Sequence, residues 1–173
     1  MRALFFCSSY AGIAPKYNEA ARKLVRAAAS RGYEIASGGT VKGTMGVICD
    51  EAAACGAVVR GVLPRFMADL AHPKLTDIEW TDTMSERKEA MRKGVDIAFA
   101  LPGGIGTMDE LFETLVLAKL DRFHGRLAAL NIDGFYDPLD ALLAHFVETG
   151  MLAPEERARL MLPKTVEEAI ELL

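Results

Sequence analysis

Short apolar runs alternate along this chain with longer stretches in which apolar positions recur every three or four residues. Arg2 to Phe6 reads as a strand, and Pro15 opens a helix to about Ser30 whose buried stripe is Ala20, Ala21, Leu24, Val25 and Ala28. Gly32 stops that helix. Tyr33 to Ala36 and Val58 to Leu63 are further strands, with a helix from Val47 to Cys55 between them and Pro64 closing the second. Arg65 to Asp77 mixes Phe66, His72 and Pro73 with charges, the pattern of a long connection that can wall a pocket. Ile78 to Thr81 is a short strand and Ser85 to Lys93 a charged helix. Val95 to Leu101 is almost wholly apolar, as expected of a parallel strand buried on both faces, and Leu111, Leu115 and Ala118 behind it fall at helical spacing. Leu127 to Asn131 is the last clear strand, and Phe135 to Thr149, Pro154 to Leu162 and Val166 to Leu173 read as helices. Strands alternating with helices predict an α/β fold, a Rossmann-like, doubly wound parallel sheet with helices on both faces. A chain of 173 residues with no linker-like stretch suits one domain over residues 1–173.

Two glycine-rich turns join strands to helices, at Gly38 to Gly46 and at Leu101-Pro-Gly-Gly-Ile-Gly-Thr-Met-Asp-Glu110. In an open parallel sheet such turns gather at the carboxyl edge of the strands, where ligands bind. Gly103, Gly104 and Gly106 let an anion approach main-chain N–H groups, and a helix starting there offers unpaired donors and the positive end of its dipole. Thr107 can cap that helix or donate to a phosphate. Taken alone, the turn fits a phosphate cradle or a tight structural turn, and Glu110 fits an acid beside the cradle or a first-turn carboxylate that complements the dipole. The first turn, G-G-T-V-K-G-T-M-G, does not match G-x-G-x-x-G, no acidic residue closes the second strand, and the turn lacks the Walker G-K-[ST] ending. One nucleotide is therefore expected, rather than NAD or a P-loop ATP site.

Composition narrows the partners. Hydrophobic residues make up 51% of the chain, and the formal net charge of -4 argues against a surface that coats nucleic acid. Cys7, Cys49 and Cys55 form no CxxC pair and are odd in number, which suits reduced thiols in the cytoplasm better than disulfides or zinc. The apolar run at the N-terminus is too short for a signal core or a membrane span. His72, His124 and His145 are scattered without H-E-x-x-H, so no metal is expected, and no lysine has an identifiable reason to be desolvated for a PLP Schiff base. No cofactor is predicted.

Met84-Ser-Glu-Arg-Lys88 lies between the two turns and could be a solvated helix face. Together with Pro102-Gly-Gly-Ile-Gly-Thr-Met-Asp-Glu110, however, it resembles the paired MHERK and PGGxGTxxE motifs of the LONELY GUY (LOG) family. That family comprises cytokinin riboside 5′-monophosphate phosphoribohydrolases earlier labelled lysine decarboxylase-like. F-C-S-S at 6–9, P-K-Y at 15–17, G-G-T-V-K-G-T-M-G at 38–46 and G-V-L-P at 61–64 follow the family order, so the likeness spans about residues 2 to 150. It implies hydrolysis of the N-glycosidic bond of a purine nucleoside 5′-monophosphate, possessing or lacking an N6 substituent, to free base and ribose 5-phosphate. The motif positions imply Arg87 and Glu110 as the catalytic pair. They implicate Ser9, Gly39, Gly43, Thr44, Met84, Lys88, Gly103, Gly104, Gly106 and Thr107 in substrate binding. Ser85 stands where the family has histidine, Thr40 where a third glycine is typical, and Thr44 where leucine is typical. The resemblance also implies a homodimer, with helices 85–93 and 106–120 at the interface and Met84, Met91, Met108 and Phe112 as apolar contacts. The alternative is a non-catalytic carrier or sensor of a nucleotide-like ligand, such as a molybdenum cofactor carrier, which need not keep the Arg87 and Glu110 pair.

Overall fold

The computed structural model describes all 173 residues. Seven parallel strands form one sheet in the order β4-β3-β2-β1-β5-β6-β7. In chain order they are β1 (Arg2–Phe6), β2 (Glu34–Ser37), β3 (Val59–Pro64), β4 (Asp77–Thr81), β5 (Ile97–Ala100), β6 (Arg126–Ala129) and β7 (Leu160–Met161). The helices are α1 (Pro15–Ser30), α2 (Gly43–Ala54), α3 (Met84–Arg92), α4 (Ile105–Lys119), α5 (Asp137–Glu148), α6 (Pro154–Arg157) and α7 (Val166–Glu171). Successive side chains of a strand point to opposite faces, and the central strand β1 splits its residues accordingly. Ala3 and Phe5 pack with α1, α2 and α7, whereas Leu4 and Phe6 pack with α3, α4 and α5. This double burial is the doubly wound α/β architecture expected from the alternation of runs.

Most element ends shift by one or two residues from the sequence reading, and three segments depart from it further. The expected helix from Pro154 to Leu162 is only α6, after which Leu160 and Met161 pair with β6 as a seventh strand. Leu160 is buried there and Pro163 follows at once, so edge pairing wins over a helix that could not continue. Helix α2 begins at Gly43 rather than Val47, because the N–H of Thr44 donates to the Ser8 carbonyl at 2.9 Å and turns the second half of the glycine segment into helix. The connection after β3 contains a short 3-10 helix (Arg65–Leu70) tied to the glycine turn by Val41 N–H to Leu70 O and His72 N–H to Gly39 O, both 2.9 Å. No helix is long and apolar enough to cross a membrane.

The strand order reverses direction between β1 and β5. Crevices form at the carboxyl ends of the strands at such a switch point, and the loops after β1, β2 and β5 meet there.

Candidate functional site

Helix α3 begins at a capping box: Thr83 Oγ1 accepts from the Glu86 N–H while Glu86 accepts from the Thr83 N–H. This places Arg87 in the second turn, pointing back beneath the sheet edge rather than into solvent. Its Nε donates to the Val62 carbonyl within β3 at 3.0 Å, and its Nη1 donates to Glu110 Oε1 at 3.2 Å. Arg87 is 7% exposed and Glu110 9%. The third nitrogen, Nη2, has room only because residue 38 lacks a side chain: a Cβ on Gly38 would lie 2.1 Å from it.

Across from Arg87, Leu101 to Gly104 lead into α4. Gly104 occupies the cap position, and no side chain caps this helix. The first N–H groups of a helix have no intrahelical partner and carry the positive end of its dipole. Thr107 is thus a buried third residue of α4 rather than its cap, and Glu110 lies in the second turn, too deep to be the first-turn dipole partner. A Cβ on Gly103 would strike Thr107 Oγ1 at 2.1 Å, so the turn can fold tightly over the helix only with glycine there.

These groups share one cavity of about 270 Å3. Its floor holds Phe5, Cys7 and Glu110, its sides Ser9, Gly38, Thr40, Gly104 and Thr107, and its mouth Tyr10, Met84 and Ile105. Burial sets the electrostatics. Desolvation pushes the Glu110 carboxyl up to about 7, although the Arg87 guanidinium beside it pulls the other way. The buried Cys7 thiol is likewise raised by desolvation, and the nearby Glu110 carboxylate adds to the effect, so it stays protonated.

Of the residues singled out from sequence, Ser9, Met84, Arg87, Gly104, Gly106, Thr107 and Glu110 line this cavity. The others do not. Gly39 (φ +71°) faces Gly61 Cα and the side chains of Leu63 and Leu75, where a Cβ would lie 2.7 Å from backbone. Gly43 (φ +53°) is pressed on the backbone of Ser8 to Tyr10, and the Thr44 hydroxyl donates to Asn18 Oδ1. Gly103 acts from beneath the turn. Lys88 points to the outer face, paired with Asp109 and Glu113 at 2.9 Å. Of the three departures from the family motifs, only Thr40 touches the cavity; Ser85 lies in a separate shallow groove with Trp80 and Glu89. Gly38, Thr40, Met45 and Met67 are lining residues missed from sequence. Gly38 and Thr40 sat inside a motif already noted, but nothing in the spacing distinguishes Gly38, which faces Arg87, from Gly39, which faces Leu75.

The outer face of α4 carries an apolar strip beside the mouth. Ile105 is 94% exposed, Val116 is exposed, and Met108, Phe112 and Leu117 are half-buried around them. Met91, expected at this face, is instead in the core under α3.

Comparison with known proteins gives a consistent neighbourhood. A family model described as "Possible lysine decarboxylase" matches residues 45–173. A cytokinin riboside 5′-monophosphate phosphoribohydrolase of Rhodococcoides fascians is 34% identical over 168 residues, covering 95% of this chain and 85% of that protein. One from Arabidopsis thaliana is 29% identical, covering 99% and 82%. Among solved structures, the molybdenum cofactor binding protein of Rippkaea orientalis superposes with a TM-score of 0.73 at 19% identity, covering 99% and 94% of the two chains. At that identity the likeness is one of fold.

Proposed function

The chain belongs to the LOG family, the possible lysine decarboxylases of the family model, and from that membership and its own site we propose that it hydrolyses purine nucleoside 5′-monophosphates to free base and ribose 5-phosphate. The observation that carries this reading is the buried Arg87–Glu110 pair in the same cavity as the uncapped N-terminus of α4. In this reading the 5′-phosphate sits on the N–H groups of Gly104 to Thr107, which fixes the ribose over Glu110. Cleavage of the C1′–N bond leaves its electron pair on the base and positive charge on the ribose ring. The Glu110 carboxylate stabilises that charge and takes a proton from the water that attacks C1′; the departing base takes up a proton in turn. Arg87, held at Nε by Val62, keeps Glu110 in place through Nη1 and presents its remaining Nη2 to substrate oxygens.

A carrier of a nucleotide-like ligand on the same fold need not keep a buried carboxylate beside a fixed guanidinium, and the pair's presence favours hydrolysis. The apolar face around Ile105 supports a homodimer, each mouth closed by the other subunit, and the three free thiols suit a cytoplasmic setting. The test is to incubate purified protein with AMP, N6-isopentenyl AMP, adenosine, ADP and ATP and to separate free base by chromatography. Release from the monophosphates, and far slower release from the other three, is expected. No free base from either monophosphate would overturn the activity, and equal rates with adenosine and AMP would overturn the phosphate site.

A further inference from the structure

Behind the turn at 101–104 lies a buried polar network that does not itself line the cavity. Leu101 directly follows β5, and its N–H donates to the Phe6 carbonyl of β1 at 2.8 Å. Its own carbonyl, one residue past the strand, faces away from any strand partner and accepts the Tyr136 hydroxyl at 2.7 Å. Tyr136 is 2% exposed and is itself fixed: its N–H donates to Asn131 Oδ1 at 2.6 Å. Asn131 in turn donates from Nδ2 to Asp137 Oδ1 at 2.8 Å and from its backbone to the Pro163 carbonyl, also at 2.8 Å. The ring packs edge-on against Phe135, which meets Tyr17 of α1 in the same way.

Resting on the reading of α4 as a phosphate cradle, we propose that Tyr136, set by Asn131, is a positioning residue for that cradle. Leu101 is the last residue whose peptide groups are both held before the chain turns through Pro102, which has no N–H, and two glycines into the first donors of α4. The tyrosine hydroxyl fixes the plane of the Leu101–Pro102 peptide and hence the direction in which the following three residues leave the sheet. Without it a buried carbonyl is orphaned, and it regains a partner only if the turn moves. A shift of the turn carries the N–H groups of Gly104 to Thr107 with it, while Glu110 and Arg87, held deeper in α4 and by β3, stay in place. The consequence falls on the phosphate and not on the base.

The experiment compares wild type with Tyr136→Phe, which keeps the ring and removes only the hydroxyl. Calorimetric affinities are measured for ribose 5-phosphate, AMP and adenosine. On the proposal, Tyr136→Phe weakens ribose 5-phosphate and AMP about tenfold and adenosine less than twofold. KM for AMP rises by the same factor while kcat changes much less. Asn131→Ser, which loosens the tyrosine without touching it, shifts the same ratio in the same direction and serves as the measurement if Tyr136→Phe fails to fold. Equal weakening of AMP and adenosine, or an unchanged ratio with only a lower Tm, assigns Tyr136 a purely structural part and overturns the proposal. If wild type itself does not favour AMP over adenosine, the phosphate reading falls and this proposal with it; if wild type does and both variants keep the preference, only this proposal falls.

Discussion

Glu110→Gln separates what the carboxylate does for catalysis from what it costs the fold. In the unfolded chain this carboxyl ionises near 4.5, and in the native state near 7 because it is desolvated. Between these values the native state binds more protons, so stability falls as pH rises. The loss is complete above about 7 and absent below about 4.5. At about 1.4 kcal/mol per tenfold change in proton affinity, ionised Glu110 costs roughly 3 kcal/mol, of which roughly 2 to 3 falls between pH 5 and pH 8. Glutamine keeps the shape and an oxygen for Arg87 Nη1 while never ionising. Urea unfolding at pH 5 and pH 8 should give similar stabilities for the two proteins at pH 5 and a variant more stable by about 2 kcal/mol at pH 8. Comparing each pH with its own wild type cancels other titrations, including that of His72, whose burial lowers its pKa and acts in the opposite direction. The same variant should lose on the order of a hundredfold or more in turnover. A stability gap that does not widen with pH would refute the desolvation argument, and undiminished turnover would remove Glu110 from the chemistry.

The wild-type pH profile follows from the same group: kcat/KM for AMP should rise through about pH 7 as the Glu110 base forms, and an acidic limb centred near 4.5 would show that the carboxyl is solvated. Arg87→Lys keeps the charge but cannot hold both Val62 O and Glu110 Oε1, and it should lower kcat/KM on the order of a hundredfold; wild-type rates would make the fork dispensable. Gly38→Ala puts a Cβ 2.1 Å from Arg87 Nη2, the flexible end of a side chain, so the damage should fall on kcat/KM by about tenfold or more with a Tm change of only a few degrees. Ile105→Glu charges the apolar face, and light scattering should report a shift from dimer to monomer; a wild-type protein that is already monomeric and fully active would discard the interface.

The fold was legible where one physical signal dominates. Runs such as Ile97–Ala100, buried on both faces, can be little other than parallel strands, and the stripe of α1 has the helical period from end to end. The seventh strand was not legible, because Leu160 and Met161 join the sheet through a tertiary pairing and have no periodicity of their own. A missed but readable signal is the T-x-x-E box at Thr83 and Glu86, which marks the start of α3 ahead of Ser85. In the site, the motifs pointed to the residues the fold brings together, Arg87 with Glu110 and Gly104 with Thr107. They could not say which glycines face a cavity. Gly38 and Gly39 are adjacent and chemically identical, yet one makes space for a guanidinium and the other for Leu63 and Leu75, a difference set by β3 and by the chain near residue 75.

The unequal use of the two glycine-rich turns has a consequence for charge. At α2 the second N–H is already taken, since Thr44 N–H bonds the Ser8 carbonyl, and Gly43 is packed under the same loop. That turn therefore pins the loop after β1 over the cavity, while on the proposed reading the N-terminus of α4 is the main-chain anion site. Among the cavity's lining residues Arg87 is the one cation and Glu110 the one acid. A helix N-terminus supplies roughly half a positive charge, and Arg87 already shares its own with a carboxylate that ionises near neutrality. On the proposed reading this is enough to hold one phosphoryl group at the N-terminus of α4. A second or third phosphoryl group would bring further negative charge to a site with no lysine and no unpaired arginine to meet it. On the proposed function, this balance of charge is expected to favour a nucleoside monophosphate over its di- and triphosphates independently of the room available.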